Sequence, residues 1–270
     1  MRLAVLCLIT TLFTGCSHHS VQQRIDRIDA LAASQGWESA LLRAEGLPMV
    51  AFSPRQLHST KRLFIYIEGD GKAWRTRTLS SDNPTPANPL GLKLALAHLG
   101  NNAVYLGRPC QTIFDRHACN PELWLGGRFS ETAIRATSQA IGTLKQRFQA
   151  EELVLVGYSG GGAVAALVAA RRNDVAGLIS VAGNLDHRTW TQYHGVTTLS
   201  RSLNPMDYTE KLKPVRQFHF FGTEDKTVPP AVAQSFQTHF ERPVIYPVAG
   251  NTHSCCWIEQ WPELLKNTFK

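Results

Sequence analysis

Apolar positions in this chain come in short continuous runs separated by segments of helical spacing. Residues 63–67 (LFIYI), 103–106, 153–156, 175–181, 218–221 and 244–248 are apolar runs of strand length. Between them, Ile134, Ile141, Leu144 and Phe148 fall on one face of a helix that Ser130 can N-cap. Residues 89–99, 160–170, 230–240 and 259–269 read as further helices, and 160–170 is built almost wholly of small residues. Unbroken apolar strands alternating with helices predict an α/β protein with a mostly parallel sheet covered on both faces. The irregular stretches 70–88, 107–129 and 184–213 each follow a predicted strand. That is the edge where an open α/β sheet builds its site, and long loops in compact domains are often functional.

The first residues have a different character. Met1-Arg2 is followed by an apolar stretch over 3–13, too short to span a bilayer. It ends in Leu12-Phe13-Thr14-Gly15-Cys16. Residues 17–35 read as a polar tether running into a short amphipathic helix carrying Ile25, Ile28 and Leu31. The chain therefore divides into a leader (1–16), a tether with its helix (17–35) and one domain (36–270), since 270 residues at 43% apolar content suffice for one substantial core. The net charge of +7 raises nucleic acid as a partner, but the Lys and Arg residues are scattered and no basic run is interleaved with aromatics. A nucleic-acid role is therefore set aside, and mild attraction to anionic membrane surfaces is the better use of the charge.

The strongest local signal is Gly157-Tyr158-Ser159-Gly160-Gly161, between a predicted strand and a predicted helix. A G-x-S-x-G in that context places the Ser on a sharp turn at the helix N-terminus, where positive helix-end charge meets a developing anion. Gly160 would supply one oxyanion-hole N–H. A phosphate-binding loop is the rival, but the Lys-Ser or Lys-Thr pair it needs is missing. A Ser hydroxyl needs a base, and His253, just beyond the last predicted strand, fits. The acid should lie between them. Asp225, in Gly222-Thr223-Glu224-Asp225 after the 218–221 strand, is the candidate, with Glu224 and Asp186 as alternatives. No His/Cys ladder suggests a metal site. Trp190, Tyr193 and Tyr208 are candidates to line a pocket, or are simply core.

In chain order, Ser159, Asp225 and His253 resemble the α/β-hydrolase superfamily of serine hydrolases, over most of residues 40–270. The loop Glu68-Gly69-Asp70-Gly71 aligns with the superfamily's His-Gly-x oxyanion loop, with Glu68 at the His position. The resemblance makes the Asp70 N–H the second oxyanion donor. It implies a doubly covered parallel sheet with a short cap and no cofactor. The implied activity is hydrolysis of a carboxylic ester or thioester, in a small-molecule or lipid-like substrate, through an acyl-enzyme. A peptidase or acyltransferase would use the same three residues. A non-catalytic binding lipoprotein is the other reading, favoured by the two acids of the oxyanion loop.

The segment ending at Cys16 resembles the bacterial lipobox, which implies a diacylated Cys16 and a membrane anchor after cleavage. Ser17 resembles the outer-membrane sorting signal, so the expected location is the periplasmic face of the outer membrane or the cell surface. With Cys7 in the leader and Cys16 acylated, four cysteines remain, an even number that suggests disulfides in an exported protein. Cys110 and Cys119 close a short loop and form the favoured pair. Cys255 and Cys256 are then an adjacent bridge or free thiols, with cross-pairing between the two groups as the alternative.

Overall fold

The computed structural model describes residues 20–56, 59–76, 78–115 and 117–268. The leader and Cys16 lie outside the described residues. Eight strands, opening with β1 (Trp37–Ala44) and β2 (Leu47–Pro54), form one sheet in the order β1-β2-β4-β3-β5-β6-β7-β8. From β4 (Ala103–Leu106) and β3 (Arg62–Ile67) onward through β5 (Glu152–Tyr158), β6 (Val175–Val181), β7 (Arg216–Gly222) and β8 (Ile245–Val248), every pairing is parallel.

The sheet is buried on both sides for a reason visible in β3. Leu63, Ile65 and Ile67 point into one core and Phe64 and Tyr66 into the other, as the period of two requires. The first core is closed by α3 (Glu131–Arg147) and α4 (Gly160–Ala169). The second is closed by α1 (Val21–Ser34), α2 (Leu90–Leu96) and α8 (Trp257–Lys266), whose Trp257 and Trp261 are fully buried. On α3 the predicted face is the buried one, and the Ser130 hydroxyl accepts from the Ala133 N–H. On α1, Ile25 and Ile28 are buried as expected. Arg24 is buried beside them because its guanidinium donates to the Thr85 and Asn83 carbonyls.

The hydrophobic pattern misses the antiparallel hairpin β1 (Trp37–Ala44) and β2 (Leu47–Pro54), which extends the sheet at its β4 edge. β1 is a half-exposed edge strand and lacks a continuous apolar run. The readable signal was Glu45-Gly46, a two-residue turn with both residues at positive φ, 51° and 76°. Three helices also differ in extent: α2 covers Leu90–Leu96 instead of 89–99, α7 Pro230–Gln237 instead of 230–240, and α8 Trp257–Lys266 instead of 259–269.

The segment after β6 holds α5 (His187–His194), a 3-10 turn at Pro205–Tyr208 and the single-turn α6 (Thr209–Leu212), before β7 and then α7 (Pro230–Gln237). It is a short cap, as its length predicts. Cys110 and Cys119 are bonded within the 107–129 loop, and Cys255 is bonded to Cys256, so cross-pairing does not occur.

Candidate active site

The strand order doubles back around β3: β4 lies on one side of it and β5 on the other. The crevice beyond their carboxyl ends is the ligand position of an open α/β sheet. Ser159 sits there, between the end of β5 and the start of α4, with φ 53° and ψ −123°. This left-handed conformation is costly for a Ser, about 1–3 kcal/mol, and the surroundings hold it. The Ser159 N–H donates to the Val181 carbonyl at 3.0 Å, and its own carbonyl accepts from Gly162 and Asn184 at 2.9 and 3.0 Å. The tight crossing explains the flanking glycines. A Cβ at Gly161 would lie 2.4 Å from the Ile67 carbonyl oxygen, and one at Gly157 would lie 2.2 Å from that of Gly161.

His253 follows β8 and brings Nε2 to 3.0 Å from Ser159 Oγ. Its Nδ1 lies 2.8 Å from Asp225 Oδ2. The other Asp225 oxygen accepts from the Thr227 and Val228 N–H groups at 2.8 Å each, and its side chain is fully buried. Those two backbone donors leave Oδ2 aimed at the imidazole. The alternatives are committed elsewhere. Asp186 N-caps α5 through Arg188 and Thr189 and accepts from Asn204, Ser235 and the Thr189 hydroxyl. Burial pushes its carboxyl up, but those donors more than reverse the effect and hold it below the usual carboxylate range. Glu224 is exposed to solvent.

Two positioning groups escape sequence reasoning. The Tyr158 hydroxyl and the Trp257 indole N–H both donate to the His253 carbonyl, at 3.2 Å each. Tyr158 occupies the variable position of the elbow, where no motif specifies it. Trp257 reads as an ordinary core residue of α8.

The acidic oxyanion loop resolves into two separate devices. Glu68 is 1% exposed and accepts from the N–H groups of Gly69, Gly91 and Leu92 at 2.9, 3.1 and 3.4 Å, which ties the loop to the start of α2. Burial pushes its carboxyl up against the opposing pull of those N–H groups. Asp70 is held between two guanidiniums, with Oδ1 3.2 Å from Arg108 and Oδ2 2.8 Å from Arg128. Burial alone would raise its pKa, but the charges of Arg128 and Arg108 outweigh it and hold the carboxyl below its ordinary value. Arg108 also donates to the Arg128 carbonyl, and Gln111 donates to the Gly69 carbonyl at 2.8 Å. Neither guanidinium was foreseen, because both come from the irregular 107–129 loop. Among the described residues, the backbone N–H groups of Asp70 and Gly160 have no acceptor. Two unpartnered donors beside a Ser hydroxyl can receive a developing oxyanion.

Ser159, His253, Tyr158, Glu68, Asp70 and Arg128 line a cleft of about 620 Å³. Trp190 lines it and anchors its indole N–H on the Thr227 carbonyl at 2.7 Å. Tyr193 is 59% exposed and outside the lining, and Tyr208 packs under Arg171. Of the three cap aromatics, only Trp190 reaches the site.

Fold and site together define an α/β-hydrolase serine hydrolase. Residues 92–254, more than half of the chain and a span containing Ser159, Asp225 and His253, match the model of the family described as Serine hydrolase (FSH1), and the chain belongs to that family. No curated protein matches it. Among solved structures it is similar to Est1E from Butyrivibrio proteoclasticus (14% identity, TM-score 0.57, covering 85% of this chain and 96% of that one). It is also similar to the acetyl xylan esterase from Paenibacillus sp. R4 (14% identity, TM-score 0.56, 90% and 91%). An alpha-beta serine hydrolase homologue from Coxiella burnetii has 18% identity and a TM-score of 0.52, with coverage of 86% and 95%. At these identities the likeness is one of fold.

Proposed function

We propose that the protein is a serine esterase whose nucleophile is Ser159, with His253 as base and Asp225 as the acid that orients it. The observation that carries the reading is the hydrogen-bonded path from Ser159 Oγ through the His253 ring to Asp225. On this reading His253 Nε2 takes the Ser159 proton as Oγ attacks the acyl carbon. The oxyanion is received by the N–H groups of Gly160 and Asp70. His253 then returns the proton to the leaving alcohol, which departs and leaves an acyl-Ser159. Water, deprotonated by the same imidazole, hydrolyses that ester. Asp225 holds Nδ1–H, so that Nε2 is the basic nitrogen.

The non-catalytic reading drew its support from two carboxylates at the oxyanion loop. The geometry weakens that support, because Asp70 is neutralised by two arginines and Glu68 is turned into backbone N–H groups. An ester substrate is read on the likeness to the acetyl xylan esterase; a puromycin-hydrolyzing peptidase from Mycobacterium tuberculosis is as similar in fold (14% identity, TM-score 0.57), so a peptide amide is the second substrate class to assay. The fold alone does not decide the bond cleaved.

The test is fluorophosphonate labelling of the residue 17–270 protein beside its Ser159→Ala variant, followed by turnover of 4-nitrophenyl esters. Labelling lost only in the variant supports an activated Ser159, and absence of labelling in folded wild type overturns the reading. The anchor is proposed at Cys16 on the lipobox resemblance. Metabolic incorporation of a fatty-acid probe into the full chain, lost in Cys16→Ser, tests it.

A further inference from the structure

The charged groups bordering the cleft are unequally satisfied, and the unsatisfied ones are cations. Asp70 has both oxygens in ion pairs. Glu68 is 1% exposed, with its oxygens on backbone N–H groups. Both acidic groups of the lining are therefore already engaged, although the Asp70 side chain keeps 22% of its surface exposed. The cations differ. Arg128, whose side chain is only 9% exposed, spends Nε on the Leu125 carbonyl at 2.7 Å and Nη1 on Asp70. Its Nη2 has no acceptor among the described residues, and the side chain borders the cleft. Two guanidiniums share the single Asp70 carboxylate; Arg108 also feels the Glu68 carboxyl, which leaves Arg128 the less compensated of the two. Lys72 borders the same cleft two residues along the loop, and its ammonium has no acidic partner among the described residues.

The unused Arg128 donor opens on the cleft, where a ligand or water can complete it. An anion is the ligand that also uses its charge. We propose that the cleft selects esters carrying a carboxylate, with Arg128 and Lys72 as the specificity-determining groups that bind it. The inference rests on the esterase reading for the reaction and on the lining charges for the substrate class. The carboxylate is bound and takes no part in bond making. It lies on the oxyanion-loop side of Ser159, where Arg128 and Lys72 border the cleft, while Trp190 lines the cap side.

The test compares two substrates that differ only in charge, the 4-nitrophenyl monoester of adipic acid and its methyl-capped counterpart, with Ser159→Ala as the hydrolysis blank. The expected result is a kcat/KM ratio of at least about 10 in favour of the acid, the effect of one modest charge-assisted contact. The ratio falls in Lys72→Gln and inverts in Lys72→Glu. Lys72 is half exposed, so both variants fold. Arg128→Gln provides the second perturbation. A ratio near one in wild type overturns the proposal, and so does a preference that survives both Lys72→Glu and Arg128→Gln. Binding of benzoate and its neutral isostere benzamide to the Ser159→Ala protein, by calorimetry, gives a readout independent of turnover. Tighter binding of benzoate, weakened by Lys72→Glu, supports the anion site even if neither ester is cleaved, and equal binding sinks it. Fluorophosphonate labelling judges the esterase reading separately.

Discussion

Gly160→Ala isolates the contact between the oxyanion loop and the turn that carries Ser159. Gly160 is the first residue of α4 and has helical backbone angles, so propensity alone favours Ala by about 1 kcal/mol. Sterics oppose it. The new Cβ would lie 2.0 Å from Asp70 Oδ1 and 2.6 Å from its carboxyl carbon, where ordinary contact begins at 3.4 Å. The carboxylate has to retreat by more than an ångström. It is fixed from behind by Arg108 and Arg128, both nearly fully buried, so it retreats only by breaking those bonds or by moving the loop. Moving the loop displaces the Asp70 N–H, and relieving the clash at the turn displaces that of Gly160. Loss of one oxyanion donor costs about 2.7–4 kcal/mol in the barrier, or a hundredfold to a thousandfold in kcat. Overpacking costs a further 1–3 kcal/mol or so in stability. The assay is kcat on 4-nitrophenyl butyrate together with the thermal midpoint, repeated in an Asp70→Ala background. With the carboxylate removed, Gly160→Ala should add almost nothing, which a double-mutant cycle reads directly. Wild-type kcat in the single variant, or full additivity in the cycle, would refute the argument.

Other consequences are as open to measurement. Asp225→Asn keeps the shape but not the proton order. Its oxygen accepts from Thr227 and Val228, so its NH₂ faces His253 and forces the proton onto Nε2. The expected loss in kcat is about 10³–10⁴-fold with the thermal midpoint little moved, and an active variant would show that Asp225 is not the orienting acid. Asp186→Ala removes the cap of α5 and the links to Asn204 and Ser235, and should cost about 2–3 kcal/mol in denaturant unfolding while fluorophosphonate labelling persists. Loss of labelling in a folded variant would instead make Asp186 part of the site. His219 is buried, and burial lowers its pKa to about 3. Above about pH 6.5 it is neutral in both states and its contribution is constant. As pH falls below that, the unfolded chain takes up a proton that the folded one refuses until about pH 3, so stability declines by about 1.4 kcal/mol per pH unit. Unfolding curves at pH 7 and pH 5 in wild type and His219→Gln test this, and an unchanged slope in the variant contradicts it.

The parallel sheet and the position of Ser159 were legible in the chain because both rest on local rules. Continuous apolar runs such as 153–156 mark strands buried on both faces, and the small residues at 157–163 are dictated by a crossing only a few ångströms wide. The β1–β2 hairpin was legible only in its turn, Glu45-Gly46, and in the buried run of β2; the half-exposed edge strand β1 carries a diluted pattern and takes its place from pairing with β2. The sequence favoured Asp225 and left Asp186 open; what separates them is tertiary. Both follow strands, and only the fold turns one toward His253 and gives the other a helix to cap. The same holds for the oxyanion loop. Sequence supplies two acids where a charge-free loop is expected, and nothing local says how they are tolerated. Arg108 and Arg128 arrive from a loop about 40 and 60 residues away to flank Asp70, while Glu68 turns to the start of α2. Local sequence determines strands, turns and caps because their energetics are short-range. The charge balance of a buried site depends on which distant side chains share its low-dielectric space, and only the folded chain decides that.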